Sequence, residues 1–207
     1  MHLAHEQGLA NVFVTNGYMT PECLQMLQPG EGLPPLLDAA NVDLKAWSED
    51  FYRQQAGAKL EPVLESLRLL KQMGVWVEVT TLIIPTLNDG DEQLRSIARF
   101  LKEELGPATP WHVSAFRPAF RLLDIGPTPV ETLDRAREIG REEGLHHVYE
   151  GNVTGTSGEN TYCHECGCEL IRRYGYQILA NRLDNGRCPQ CGASIPGVWS
   201  HQHDQHS

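Results

Sequence analysis

From residue 11 onward, short apolar runs alternate with stretches whose apolar residues return every three or four positions. "NVFVTNG" reads as a strand, and "PECLQMLQPG" as a short helix opened by Pro21. "ANVDLKAW" is a second strand. "KLEPVLESLRLLKQMG" follows as a helix, with Leu60, Val63, Leu64, Leu67 and Leu70 on one face and Gly74 as its stop. "VWVEVTTLIIP" is a β-branched strand apolar enough to be buried. "DEQLRSIARFLKEELG" is a helix with Asn88, Asp89 and Asp91 as its expected cap and first-turn acids. "WHVSAFRP", "VETLDRAREIGREEG" and "HHVYEGN" complete the series as strand, helix and strand. Such alternation predicts βαβ units, an α/β fold and a parallel sheet curling toward a partial (β/α) barrel. The start, "MHLAHEQG", reads as the end of a helix feeding the first strand, which leaves one sheet edge to be covered.

The pattern changes after residue 152. "GNVTGTSGEN" has the composition of a linker, and residues 161–199 form a separate small unit. The expected organisation is a partial barrel over 1–152, a linker over 153–160, a Cys-rich module over 161–199 and a polar, flexible tail over 200–207.

Composition narrows the function classes. The chain has 207 residues, 41% hydrophobic, so it can bury a core. Its formal charge of -10 disfavours a general nucleic-acid or anionic-membrane surface. No apolar run reaches membrane-spanning length and the first residues do not resemble a signal peptide, so the expectation is a soluble, cytoplasmic protein. In a reducing compartment, paired cysteines favour metal or redox chemistry over structural disulfides.

Five of the six cysteines fall within the last 45 residues. Cys163-x-x-Cys166 and Cys188-x-x-Cys191 are separated by 21 residues, close to the spacing of four-cysteine zinc sites. Each pair can aim two thiolates at one ion, and Gly167 and Gly192 relax the backbone just behind the sulfurs. A closed site of four cysteines is structural, and so short a module needs one to fold. The expected metal is zinc in a zinc-ribbon-like module. Iron in a rubredoxin-like site is the chemical rival, and Cys168 reads as a spare thiol.

The strands carry a second signal. In "NVDLKAW", alternation places Asn41, Asp43 and Lys45 on one face and Val42, Leu44 and Ala46 on the other. Glu78 and Thr80 share a face of the next strand, His112 and Ser114 of the one after, and Thr15-Asn16-Gly17 closes the first. Asp43 and Lys45 could grip a zwitterion, or simply pair on a solvated strand. His112 alone would read as a core histidine. Four strands delivering polar groups near one end point to a ligand site at the strand ends.

Together "VFVTNGYMT", "NVDLKAW", "FYRQQAGAKLEPVLESL", "WVEVTTLIIPTLND", "PWHVSAFRP", "VYEGNV" and the closing Cys-x-x-Cys-Gly pairs resemble radical S-adenosylmethionine (SAM) enzymes. The resemblance runs over residues 1–199 and is to the AmmeMemoRadiSam-system branch, relatives of the pyruvate formate-lyase activating enzyme. It implies a partial barrel that binds SAM and a [4Fe-4S] cluster and generates a 5′-deoxyadenosyl radical for hydrogen abstraction. Asp43 and Lys45 match the family's Asp-x-Lys element at the methionyl group, and Thr15, Asn16 and Gly17 its strand-end segment near SAM. Thr80 stands where the activating enzymes carry an arginine, and Arg117 where histidine is more usual. His112 joins the expected SAM contacts. The sequence contains no Cys-x-x-x-Cys-x-x-Cys cluster motif and no Gly-Gly-Glu-Pro strand. The expectation is therefore a C-terminal part of such an enzyme, inactive alone, whose partner is the rest of the barrel or a complementary fragment. The alternative is a zinc-ribbon module that binds a protein partner on an α/β scaffold. The substrate, a protein glycyl residue or a small molecule, is open.

Overall fold

A computed structural model describes residues 1–28, 30 and 33–199; the expected tail, 200–207, lies outside the described residues. Five strands, β1 (Val12–Thr15), β2 (Ala39–Asp43), β3 (Trp76–Ile83), β4 (Trp111–Ala115) and β5 (Val148–Gly151), form one parallel sheet in sequence order. These are the five strands that the apolar runs predict. Together with the intervening helices they form a partial barrel.

The helices are α1 (His2–Glu6), α2 (Pro21–Gln25), α3 (Glu49–Phe51), α4 (Glu61–Gln72), α5 (Asp91–Phe100) and α6 (Val130–Glu142). Short π-helical turns, Tyr52–Ala56 and Leu101–Leu105, extend α3 and α5. The apolar stripe of α4 is buried as its spacing demands, through Val63, Leu64, Leu67 and Leu70. Those residues share one core with Leu94 and Ile97 of α5, Leu133 of α6, and Val42, Val77, Val79, Ile83, Trp111 and Val113 of the sheet. Thr81, fully buried on that face, donates to the Leu44 carbonyl at 2.8 Å and accepts from Trp111 Nε1 at 2.9 Å.

One local expectation changes. The start of α5 takes no cap from Asn88, because Gly90 holds the cap position without a side-chain bond. Asn88 is instead buried between strand ends. Its Oδ1 accepts from Ile84 N at 2.6 Å, and its Nδ2 donates to the carbonyls of Lys45 (2.6 Å) and Leu82 (2.9 Å). Three buried backbone groups outcompete a single exposed helix terminus for one amide. α3 and its π turn were not evident from periodicity, being too short to show a repeat.

Residues 153–160, read from composition as a linker, pack on β5. The turn Ser157–Glu159 lies against that strand, and a Cβ at Gly158 would overlap the Glu150 carboxyl. The buried Glu159 carboxylate accepts from Gly155 N at 2.9 Å and Gly175 N at 3.1 Å, which ties this segment to the module beyond it. That module is an antiparallel sheet, β6 (Thr161–Tyr162), β7 (Glu169–Tyr174) and β8 (Gln177–Asn181), with its own core of Leu170, Ile171 and Ile195. At the other edge of the parallel sheet, β1 pairs among the described residues only with β2, and Val12 and Val14 are 59% and 84% exposed.

Candidate functional site

The sheet has a packed face and an open one. Register aligns Asp43 with Thr80, Thr80 with His112 and His112 with Tyr149, so one row of polar side chains crosses four strands on the open face. The row below includes Asn41 and Glu78, also in register. Alternation alone predicts this sharing of faces; which strands are neighbours is decided by the sheet order.

At the exit of β2, Lys45 Nζ lies 2.9 Å from Asp43 Oδ2, and both side chains are more than a third exposed. A pair so exposed gains little from its own contact and can exchange it for a ligand. The Lys45 backbone, by contrast, is held firmly. Its N–H donates to the Tyr52 hydroxyl at 3.0 Å, and its carbonyl accepts from Asn88. Burial pushes the Tyr52 phenol up to about 12, so it stays a neutral hydroxyl. Thr80 Oγ1 donates to Asn41 Oδ1 at 2.7 Å.

Thr15, Asn16 and Gly17 shape the exit of β1. The Thr15 and Asn16 side chains accept from Gly17 N and Tyr18 N, closing a tight turn. Gly17 has φ +70°, and a Cβ there would stand 2.6 Å from Val42 Cγ1. The segment thus has its expected location at the strand end, while the first two side chains are engaged within it.

His112 faces the open side. Its Nε2 is 2.7 Å from Glu78 Oε2, Trp76 Nε1 donates to Glu78 Oε1 at 3.0 Å, and its ring stacks on Tyr149 with centroids 5.3 Å apart. Burial would raise the Glu78 carboxyl, but the His112 and Trp76 bonds outweigh it and hold the group below its ordinary range. The module approaches here. Tyr149 Oη is 3.0 Å from Thr161 Oγ1, and Arg173 donates to Thr161 Oγ1 (2.8 Å) and to the Glu159 carbonyl (3.1 Å), its guanidinium 5.7 Å from the Tyr149 ring centre. Tyr52, Asn88, Tyr149, Thr161 and Arg173 were not singled out from sequence as site residues. Their partners lie on other elements, so no local spacing marks them.

In the module Cys163, Cys166, Cys188 and Cys191 converge, all four sulfurs within 4.8 Å of one another, and could hold a metal ion. Cys168 is outside the group, with its sulfur 3.6 Å from the Glu169 carbonyl. The two loops repeat one design. Gly167 N donates to the Cys163 carbonyl and Gly192 N to the Cys188 carbonyl, both at 2.9 Å, with Gly167 and Gly192 at φ +72° and +76°. Burial of Cys188 is outweighed by the backbone N–H groups of Cys191 and Gln190, which bring its thiol down to about 6, toward the thiolate a metal needs. No described helix is long and apolar enough to cross a membrane.

Residues 1–101 match the radical SAM superfamily. An uncharacterized protein of Methanocaldococcus jannaschii is 47% identical over 195 residues, 93% of this chain and 56% of that protein. The pyruvate formate-lyase-activating enzyme of Clostridium pasteurianum is 24% identical over 155 residues, 72% of this chain and 62% of the enzyme. A domain of the pyruvate-formate lyase-activating enzyme from Bacteroides vulgatus shares the fold, with a TM-score of 0.59 and 13% identity over 72% of this chain and 84% of that one. Over residues 1–101 the chain matches the radical SAM superfamily, and it is similar to the pyruvate formate-lyase-activating enzymes. It spans 56% and 62% of the two curated relatives' lengths.

Proposed function

We propose that this chain is the SAM-binding C-terminal portion of a radical SAM enzyme of AmmeMemoRadiSam-system type, with a structural zinc in its four-cysteine module. The carrying observation is the exposed Asp43–Lys45 pair on a rigidly held backbone at the open ends of a partial barrel. The pair fits the zwitterionic methionyl end of SAM: Asp43 faces the ammonium and Lys45 the carboxylate. Thr80 and His112, on the same row, complete the polar wall, and the β1 exit supplies backbone at Gly17. Held by Asp43, Lys45, Thr80, His112 and the Gly17 backbone, SAM would supply hydrogen-abstracting chemistry.

The described residues do not fit the [4Fe-4S] cluster. Their one group of converging cysteines has Sγ pairs 3.6 Å apart, Cys163 with Cys191 and Cys166 with Cys188. A tetrahedral ion with metal–sulfur bonds of about 2.3 Å has edges of about 3.8 Å, so these sulfurs suit one ion. In this reading the cluster ligands come from the length of the relatives that the chain does not span. That portion, or a complementary fragment, is the partner that covers β1, and the chain alone does not cleave SAM.

Calorimetric titration of the metal-loaded chain with SAM tests the reading. Weak binding lost about tenfold or more in Asp43→Ala and in Lys45→Ala is expected, each removing a charge-assisted contact. Absence of binding to the wild type, or unchanged affinity in both variants, would overturn it.

A second reading has one observation in its favour. Tyr174, Tyr176, Ile178 and Leu179 are exposed on and beside β8, the free edge of the module sheet. There the module serves as a protein-binding surface on the α/β scaffold, and Leu179→Asp in the full chain would abolish the association while leaving SAM binding intact.

A further inference from the structure

The open face of the sheet and the four-cysteine module enclose a cavity of about 910 Å³, lined on the sheet side by Trp76, Glu78, His112 and Tyr149 and on the module side by Arg173 and Trp199. Asp43, Lys45 and Thr80 do not line it, whereas Asp38, Pro110 and His147, at the starts of their strands, do. It therefore extends away from Asp43, Lys45 and Thr80 and meets the residues assigned to SAM at His112. Its size is that of a small-molecule site, typically about 300–1,000 Å³, and it has the usual make-up, aromatic walls with a few convergent polar groups.

The charged lining is Arg173 with four carboxylates, Asp38, Glu78, Glu150 and Glu159. Asp38 is engaged by His5 and Asn11 N, Glu159 by Gly155 N and Gly175 N, and Glu150 lies 3.7 Å from Arg137. Arg173 is fixed through one nitrogen, Nη1, by Thr161 and the Glu159 carbonyl, and its plane is supported by the Tyr149 ring. A guanidinium held in this way keeps the rest of its donor fork for an oxyanion. The Glu78 carboxylate is already satisfied by Trp76 Nε1 and His112 Nε2, so it does not repel a second anion as a bare carboxylate would. Its bond through Nε2 leaves the other ring nitrogen of His112 for a ligand. His147, only 4% exposed, also lines the cavity, and its Nε2 has no hydrogen-bond partner among the described residues. A buried polar atom left unpaired is costly unless something binds it.

We infer that this cavity binds a small organic oxyanion, a carboxylate or phosphate carried on a flat apolar body, with the anion on Arg173 and the body between the Trp76, Tyr149 and Trp199 rings. Because Arg173 and Trp199 sit on the module, the site exists only when the four-cysteine centre is loaded. The inference goes beyond the SAM reading and shares only His112 with it.

Calorimetry on the metal-loaded full chain tests it with three probes: indole-3-acetate, phenyl phosphate and uncharged indole. One or both anions should bind saturably and indole about tenfold more weakly, and the better anion distinguishes a carboxylate from a phosphate ligand. Arg173→Gln should weaken the anion about tenfold, while Arg182→Gln, the same charge change elsewhere on the module, should not. Should Arg173→Gln lose its metal, Val12→Trp gives an independent answer. Val12 lines the cavity from the exposed edge strand, and an indole there fills the space without entering the core. The inference fails if neither anion binds, if Arg182→Gln weakens binding as much as Arg173→Gln, or if Val12→Trp leaves it unchanged. SAM titrations of the same samples keep the two readings separable, since neither Arg173→Gln nor Val12→Trp touches Asp43 or Lys45.

Discussion

The side-chain amide of Asn88 donates a 2.6 Å hydrogen bond to the carbonyl of Lys45, 43 residues away in sequence. With the Tyr52 hydroxyl on the Lys45 N–H, this bond grips the backbone of the candidate SAM-binding lysine from both sides while its side chain stays more than a third exposed. Rigid backbone under a mobile charge is what a ligand-exchanging site needs.

Asn88→Ala leaves the Lys45 and Leu82 carbonyls and the Ile84 N–H unpaired in a buried setting. At roughly 1–3 kcal/mol for each unsatisfied group, a loss of about 3 kcal/mol or more is expected. Urea unfolding measures it, and weaker SAM binding should accompany it. A variant as stable as wild type would show that the bonds do not hold this junction.

Gly17→Ala forces a non-glycine residue to φ +70° and sets its Cβ against Val42 Cγ1. A loss of about 2 kcal/mol is expected from backbone strain and the overlap together, read as a lower thermal midpoint. An unchanged midpoint would mean that the β1 exit is free to adopt another turn.

Cys188→Ser should remove the bound metal, and elemental analysis should fall from one ion per chain to none. The module core of Leu170, Ile171 and Ile195 then loses its order, whereas helical circular dichroism is retained, because α1 to α6 all precede the module. Loss of the helical signal as well would mean that the barrel cannot stand without the module.

His147 sets a pH dependence. Burial, reinforced by charge on His164, His146 and Arg173, pushes its imidazole down to about 4 from an ordinary 6.5. Between those values the unfolded chain takes up a proton that the folded one refuses. Stability therefore falls as pH drops from 6.5 toward about 4 and levels off below, by about 3 kcal/mol at most. His147→Gln should flatten that slope in urea titrations at pH 7 and pH 4.5, and an equal slope in both proteins would sink the assignment.

Much of this was legible in one dimension. The five parallel strands, the helices α4 to α6 and the sharing of faces by Asn41, Asp43, Glu78 and Thr80 follow from periods of two and 3.6, which are local properties of the chain. The group of four cysteines was equally visible, because two short loops of fixed spacing suffice to build it. The resemblance to radical SAM enzymes was visible in the ordered strand-end motifs, and residues 1–101 match that superfamily.

Other features depend on contacts between elements that no spacing encodes. Asn88, read from sequence as a helix cap, became a strand clamp because burial made three backbone groups compete for it. The segment 153–160, polar and glycine-rich, packs on β5 because Gly158 admits the Glu150 carboxyl and Glu159 bonds two distant backbone N–H groups. Sequence by itself determined β1 to β5, α4 to α6 and the grouping of the four cysteines, since each arises from interactions between near neighbours along the chain. Only the tertiary structure decided that the module closes over the sheet and brings Arg173 to Tyr149, because long-range packing and the satisfaction of buried polar groups are settled by the whole fold.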